Sequence, residues 1–235
     1  MLSVIIPTLN SEPTLARTLA ALIPAALKGF VREVVVADGG SSDATLDIVE
    51  AAGARLVQAP RGRGAQLAAG TQFVRGDWLL FLEPDTVLQT GWESEVEKLI
   101  EHAQGGRFGR SEIAATFRFA LDDFSLSARF IEQLVALRCL LLRLPYGNQG
   151  LLLSKRLYDR LGGFRALPHM EDVDFARRIL RHIGRRRFVL LRAQATTGSE
   201  EDMRHGFFAC MMRNSLCLGL YYLHVPPRFI PRLSR

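Results

Sequence analysis

Cysteine is scarce in this 235-residue chain: Cys139, Cys210 and Cys217 are the only three, and no two form a Cys-x-x-Cys pair. An odd, scattered count argues against a disulfide framework and for a reducing compartment. Lysine is equally rare, standing only at positions 28, 98 and 155, so arginine carries nearly all the positive charge. No uncharged apolar stretch reaches the roughly 18 residues of a spanning helix. The two nearest, Val135–Leu144 and Phe207–Val225, are broken by Arg138 and Arg143 and by Arg213 and Asn214. Either suits a buried helix or one lying at a membrane interface. The first residues, Met-Leu-Ser-Val-Ile-Ile-Pro, lack the basic start and long apolar run of a signal peptide and read as a strand. Internal repeats and low-complexity segments are also missing. So is Gly-x-Gly-x-x-Gly after the first strand. The nearest match, Gly62-Arg63-Gly64-Ala65-Gln66-Leu67, follows the third strand and ends in Leu. That argues against a dinucleotide-dependent oxidoreductase.

What is present is an aliphatic-rich chain, 48% hydrophobic, long enough for a sizeable core in one α/β domain. The formal net charge of +6 is unevenly spread. Residues 1–117 hold 10 Lys+Arg against 14 Asp+Glu, and residues 118–235 hold 20 against 10. The basic half suits either a solvated surface or an anionic partner. Arginine is scattered rather than striped and no recognition module is visible, so nucleic acid is not an expected partner.

The first hundred residues alternate strand and helix. Strands are expected at Leu2–Ile6, Glu33–Ala37, Ala54–Gln58 and Asp77–Leu82. Helices are expected from Pro13 to about Leu27, from Ala44 to Ala52, and from the Arg61–Gly64 loop to about Val74. Near-continuous apolar strands alternating with helices predict a mainly parallel sheet covered on both faces. Asn10, Asp38, Asp43, Arg61 and Asp85 all follow predicted strands and should gather along one edge, where such sheets bind ligands. The second half is less regular. Strands are expected near Ile113–Ala120, Gly150–Leu153 and Arg187–Leu191, and helices over Phe124–Leu142, from the acidic cluster at 171 to about His182, and from Met203 onward.

The sharpest motif is Asp38-Gly39-Gly40-Ser41-Ser42-Asp43. A carboxylate at a strand end is a strong acceptor for a base or ribose, glycines allow a tight turn, and Ser41 to Asp43 can cap the next helix. A capped strand-to-helix turn is the plain alternative. With Ser3-Val4-Ile5-Ile6-Pro7-Thr8-Leu9-Asn10, Arg61-Gly62-Arg63-Gly64, Glu83-Pro84-Asp85, Gly147-Asn148-Gln149-Gly150, Gly162-Gly163-Phe164 and Met170-Glu171-Asp172 in this order, the chain resembles the family 2 glycosyltransferases of the GT-A, nucleotide-diphospho-sugar transferase fold. The Pro168-His169-Met170-Glu171-Asp172 context is similar to the compact radical-SAM/selenodomain-associated subgroup.

The resemblance implies a nucleotide-sugar domain over 1–195, with a donor half at 1–104 and an acceptor half at 105–195, and a helical extension at 196–235 that faces a membrane or a partner. Pro7, Asn10, Glu12, Asp38, Gly40, Arg61, Gln66 and Glu83 would bind the nucleotide-sugar, and Asp85 a divalent Mg²⁺ or Mn²⁺. Asp172, assisted by Glu171, would be the base of an inverting transfer to an acceptor hydroxyl on a glycan, lipid or small molecule. Glu83 stands where that family's first metal-site Asp is usual, and Ser11 where an acidic residue is common. Arg63 reads more readily as a surface charge than Arg61 does, Asp174 as a helix-dipole residue, and Trp92 as a cover for the donor side. The expected location is the cytoplasm, extending to the inner face of the membrane by peripheral association of the basic half. Two competing readings share the fold: a nucleotidyltransferase, and a catalytically degenerate binding module.

Overall fold

The computed structural model describes residues 1–105, 112–122, 125, 129, 132–133, 149–167 and 170–197. Its strands are β1 (Leu2–Thr8), β2 (Val31–Asp38), β3 (Arg55–Gln58), β4 (Trp78–Phe81), β5 (Thr86–Leu88), β6 (Ala114–Leu121), β7 (Leu151–Ser154) and β8 (Phe188–Thr197). They form one sheet in the order β3-β2-β1-β4-β7-β6-β8-β5. The helices are α1 (Glu12–Leu27), α2 (Thr45–Ala51), α3 (Arg63–Thr71), α4 (Trp92–Gly105), α5 (Lys155–Arg160) and α6 (Glu171–Ile183).

β1 to β4 pair in parallel, with Thr8 opposite Asp38, Asp38 opposite Gln58 and Ile5 opposite Phe81. Their carboxyl ends therefore emerge at one edge. β7 then enters antiparallel between β4 and β6, β6 pairs in parallel with β8, and β5 closes the sheet antiparallel to β8. This is a GT-A-like α/β fold, with the expected parallel half and an antiparallel insertion that belongs to the second half of the chain.

The sheet is buried on both faces, so the alternation of side chains along each strand assigns them to two cores. Leu2, Val4 and Ile6 of β1 point to one core with Leu15, Leu19 and Leu22 of α1 and Trp92, Val96 and Ile100 of α4. Ile5 points to the other, with Leu67 of α3, Leu157 of α5 and Phe175 and Ile179 of α6. In α1 the buried Leu15, Thr18, Leu19, Leu22 and Ala25 recur at helical spacing, and Pro13 sits in the first turn, where its missing N–H costs nothing.

Several boundaries differ from expectation. α3 ends at Thr71, three residues before Val74. β8 continues six residues past Leu191 to Thr197, because β6 and β5 pair with its polar Gln194, Thr196 and Thr197. β5, α4 and α5 were not anticipated. Trp92 does not cover the donor side: it is 1% exposed and meets Phe30 and Phe117 edge-on, with ring centroids 6.1 Å away in each case. Within the expected helix over Phe124–Leu142 only residues 125, 129 and 132–133 are described, and 129 and 132–133 are helical; the helix expected from Met203 onward and the 196–235 extension beyond Thr197 lie outside the described residues. Among those described, no helix is long and apolar enough to cross a membrane.

Because Trp92 fills the core, Trp92→Ala should cost about 3–5 kcal/mol of stability. A denaturant-unfolding midpoint unchanged from wild type would show that the ring is not packed as described.

Candidate active site

The first part of the site is a pair of loops laced together. The loops after β1 and β2 exchange hydrogen bonds: Asn10 N–H donates to Ser41 Oγ (2.8 Å) and Ser42 N–H to Asn10 Oδ1 (2.9 Å). Glu12 N–H donates to Asp43 Oδ2, and Ala44 N–H to Glu12 Oε2 (both 3.1 Å), so each helix start is partly capped by the other loop. Asp43 also caps its own helix, accepting from Thr45 N–H (3.1 Å). Asn10 takes a left-handed φ of 51°, a conformation Asn tolerates better than most residues, and Gly40 has φ 93°.

Asp38 is fully buried at the centre of this lacing. Its carboxylate accepts from Gly40 N–H and Ser41 N–H (both 2.8 Å), from the Ser41 hydroxyl (2.5 Å) and from the Thr8 hydroxyl (3.1 Å). Burial alone would raise its pKa, but the Ser41, Gly40 and Thr8 hydrogen bonds together outweigh that and hold it below the ordinary 3.8.

Gln66 is a brace rather than a surface ligand. It is 5% exposed, and its amide nitrogen donates to the carbonyls of Thr8 (2.7 Å) and Ala37 (3.0 Å), tying α3 under the ends of β1 and β2. Its amide nitrogen is thus engaged by the two strand ends. Arg61 is exposed on the loop, Pro7 is a buried residue of β1, and Gly40 is exposed at the turn.

The second part of the site is built around Arg63, the first residue of α3. Its Nε and Nη2 both reach Glu83 Oε1 (2.5 Å), and its Nη1 donates to Glu171 Oε1 (2.7 Å). The expectation that Arg63 is a surface charge is therefore wrong; only 25% of its side chain is exposed. Gly64 explains how α3 comes so close to α6. A Cβ there would run into the Arg165 carbonyl oxygen and lie 3.2 Å from Glu171 Cβ.

The Gly162-Gly163-Phe164 turn brings the chain to that contact. Both glycines have positive φ, the Tyr158 ring lies against Gly163, and Phe164 packs on Phe81 (5.0 Å) and Phe175 (4.5 Å). Glu171 and Asp172 then open α6; Asp174 stands in the same first turn, as its helix-dipole reading anticipates, and is also paired with Arg178 (2.8 Å) and Arg165 (3.4 Å). On the facing side, the Thr18 hydroxyl donates to the Pro84 carbonyl (2.8 Å), and the Thr197 hydroxyl at the end of β8 donates to Asp85 Oδ2 (2.6 Å). His169 and the Gly147-Asn148 pair lie outside the described residues.

Electrostatically this is one cluster. Arg63 is pushed toward its charged form: burial opposes that, and Glu83, Asp172 and Glu171 overcome it. Glu83 is raised above its usual range by burial first, with Asp85 and Asp172 adding to the shift and Arg63 offsetting it. Three carboxylates thus act on one guanidinium, and a fourth, Asp85, acts on Glu83, so acidic groups outnumber the cation at the strand ends. Among the described residues, no three His, Cys, Asp or Glu side chains converge as a metal cage. An apolar cavity of about 540 Å³ lies elsewhere, between α1, the start of β2 and the end of α2.

An open α/β sheet with laced polar loops and an acidic cluster at its carboxyl edge has the architecture of a domain that binds ligands at that edge. The chain belongs to glycosyl transferase family 2, whose model matches residues 3–135. It is 38% identical over 101 residues to a PGL/p-HBAD biosynthesis glycosyltransferase of Mycobacterium bovis (strain BCG / Pasteur 1173P2), covering 37% of this chain and 36% of that protein. It is 32% identical over 115 residues to the undecaprenyl-phosphate 4-deoxy-4-formamido-L-arabinose transferase of Pseudomonas aeruginosa (strain LESB58), covering 45% and 33%. The matched part thus spans about a third of these relatives. The fold is similar to that of glucosyl-3-phosphoglycerate synthase from Mycobacterium tuberculosis in complex with Mn²⁺, UDP and glucosyl-3-phosphoglycerate. The TM-score is 0.62 at 20% identity, covering 96% of this chain and 81% of that one. The same enzyme with Mn²⁺, UDP-glucose and phosphoglyceric acid gives 0.63 at 20%, covering 96% and 80%.

Asp38→Asn should cost about 1–3 kcal/mol at neutral pH, since an amide cannot accept from all these donors. A carboxyl whose folded pKa lies below its unfolded one stabilises above the unfolded value, and that stability is lost as pH falls through the folded one. The gap between wild type and variant, measured by urea unfolding, should therefore narrow below roughly pH 4. A gap that widens on acidification would contradict the Asp38 assignment.

Proposed function

We propose that this chain is an inverting glycosyltransferase that moves a sugar from a nucleoside diphosphate to an acceptor hydroxyl. The observation that carries the reading is the meeting of two separately supplied acidic groups at the strand ends: Glu83 and Asp85 beyond β4, and Glu171 and Asp172 at the start of α6. Both groups are felt by the same guanidinium or carboxylate.

Displacement at an anomeric carbon needs charge compensation for the departing diphosphate and a base on the opposite face. In this reading Asp172 takes the proton of the acceptor hydroxyl, with Glu171 beside it. Pro7, Asn10, Glu12, Asp38 and Gly40 shape the nucleotide pocket, Asp38 chiefly by holding its loop, and exposed Arg61 is free to reach the diphosphate. Glu83 borders the sugar side.

The residues suit a divalent Mg²⁺ or Mn²⁺ held by the Asp85 carboxylate together with diphosphate oxygens, not one enclosed by protein alone. When bound, such an ion neutralises the leaving group. The Mn²⁺ and UDP-glucose of the structural relative make UDP the first donor to test. The compact radical-SAM/selenodomain-associated subgroup, a cytoplasmic location at or near the inner membrane face, and a glycan, lipid or small-molecule acceptor belong to the same proposal.

UDP, GDP, CDP and dTDP, each with and without Mn²⁺, should separate in a thermal-shift assay. At 100 times Kd the matching nucleotide stabilises by about 2.7 kcal/mol, a shift of roughly 5–10 °C. Asp85→Ala should remove the Mn²⁺-dependent part. Asp172→Asn should keep nucleotide binding and lower kcat by about 10²–10⁴. If no nucleotide raises Tm under any condition, or Asp172→Asn turns over at the wild-type rate, the proposal fails.

A further inference from the structure

The geometry points to Arg63 as a positioning residue for the transfer: it fixes Glu171, and with it the adjoining Asp172, against the loop that carries Glu83 and Asp85. This rests on the reading of Asp172 as the base.

Arg63 is set on a rigid base. α3 is pinned to the sheet by Leu67 in the core, by the two Gln66 hydrogen bonds, and at Gly70, where a Cβ would lie 2.9 Å from Ile5 Cγ2. From there the planar guanidinium spends its donors on both sides at once, Nε and Nη2 on Glu83 and Nη1 on Glu171. Glu83 is 20 positions away in the chain and Glu171 is 108. Packing of Val173 and Phe175 seats the first turn of α6 in the core, and Arg63 fixes the acidic side chains that the turn presents. Met170, its N-cap residue, sits at φ 63° and makes no side-chain capping bond. Three acidic residues crowd that turn, and Asp174 is already taken by Arg178 and Arg165. An ammonium in place of the guanidinium lacks the fork needed to serve two carboxylates from one point.

The test compares Arg63→Met, Arg63→Lys, Glu171→Gln and the Arg63→Met/Glu171→Gln double variant with wild type. The readouts are kcat, the Kd of the nucleotide found in the thermal-shift panel, and amide hydrogen exchange at Asp174 and Phe175. Asp174 N–H donates to Met170 O at 2.9 Å in the turn concerned.

Arg63→Met is expected to lose about 100-fold in kcat, the scale of a misplaced reacting group, while nucleotide Kd stays within roughly threefold. The two amides should exchange faster. Arg63→Lys should show the same pattern more weakly, and it stands in if Arg63→Met does not fold. The double variant should be little worse than the poorer single one, since both break one linkage.

Unchanged exchange at Asp174 and Phe175, losses in kcat matched by equal losses in nucleotide affinity, or fully additive effects in the double variant would each overturn the assignment. If wild type transfers no sugar, the function proposed above fails instead, and the exchange arm decides the positioning role alone.

Discussion

One guanidinium ties the loop after β4 to the head of α6 at the carboxyl edge of this sheet. Arg63 leaves the first turn of α3 and meets carboxylates from opposite sides, Glu83 beyond β4 and Glu171 at the head of α6. A buried charge network of this kind adds little net stability, because desolvation offsets the attraction. Removing one partner is costly all the same, since the remaining charges are left unpaired in a poorly solvated place. The arrangement is therefore better understood as fixing geometry than as adding stability. It exists only because Gly64 lets backbone approach backbone where any side chain would collide.

The side of the edge formed by the loops after β1 and β2 is organised by a different means. There a buried carboxylate, Asp38, gathers donors from its own turn and from β1, and Asn10, Glu12, Ser41 and Asp43 stitch one loop to the next. These bonds fix the two loops by engaging the carboxylates of Glu12, Asp38 and Asp43 on backbone N–H and hydroxyl donors. The acidic side is left with more carboxylates than cations. The edge is thus divided between a rigid loop cradle, whose carboxylates are each engaged by hydrogen-bond donors, and an acidic cluster gathered on one guanidinium. Membership of glycosyl transferase family 2 is consistent with that division, and the family's model covers the cradle, the acidic loop after β4 and the sheet between them.

Much of this was legible in the residues. Strand–helix alternation over the first hundred positions located β1 to β4 and α1 to α3 within a few residues, because buried parallel strands are apolar throughout and their helices carry a clear stripe. The polar residues that end those strands were correctly expected at one edge. Other elements left weaker signals. β8 runs on through Arg192, Gln194 and Thr196, residues with no strand-like apolar pattern, and is held by partners on both sides. Trp92 resembled a ligand cover, yet it is core, since α4 turns it toward Phe30 and Phe117.

By itself the sequence determined which residue types end which strands, and hence that Asn10, Asp38, Asp43, Arg61 and Asp85 lie at strand ends on the same side of the molecule. Only the tertiary structure decided their partners. Of two arginines separated by a single glycine, Arg61 and Arg63, the local pattern made Arg63 the more readily read surface charge, and the fold reverses that. One is left in solvent, while the other is drawn inward by carboxylates, one of them 108 positions away. The reason is physical: secondary structure and loop position follow from neighbours in the chain, whereas desolvation and charge pairing depend on groups that only the folded sheet brings within reach.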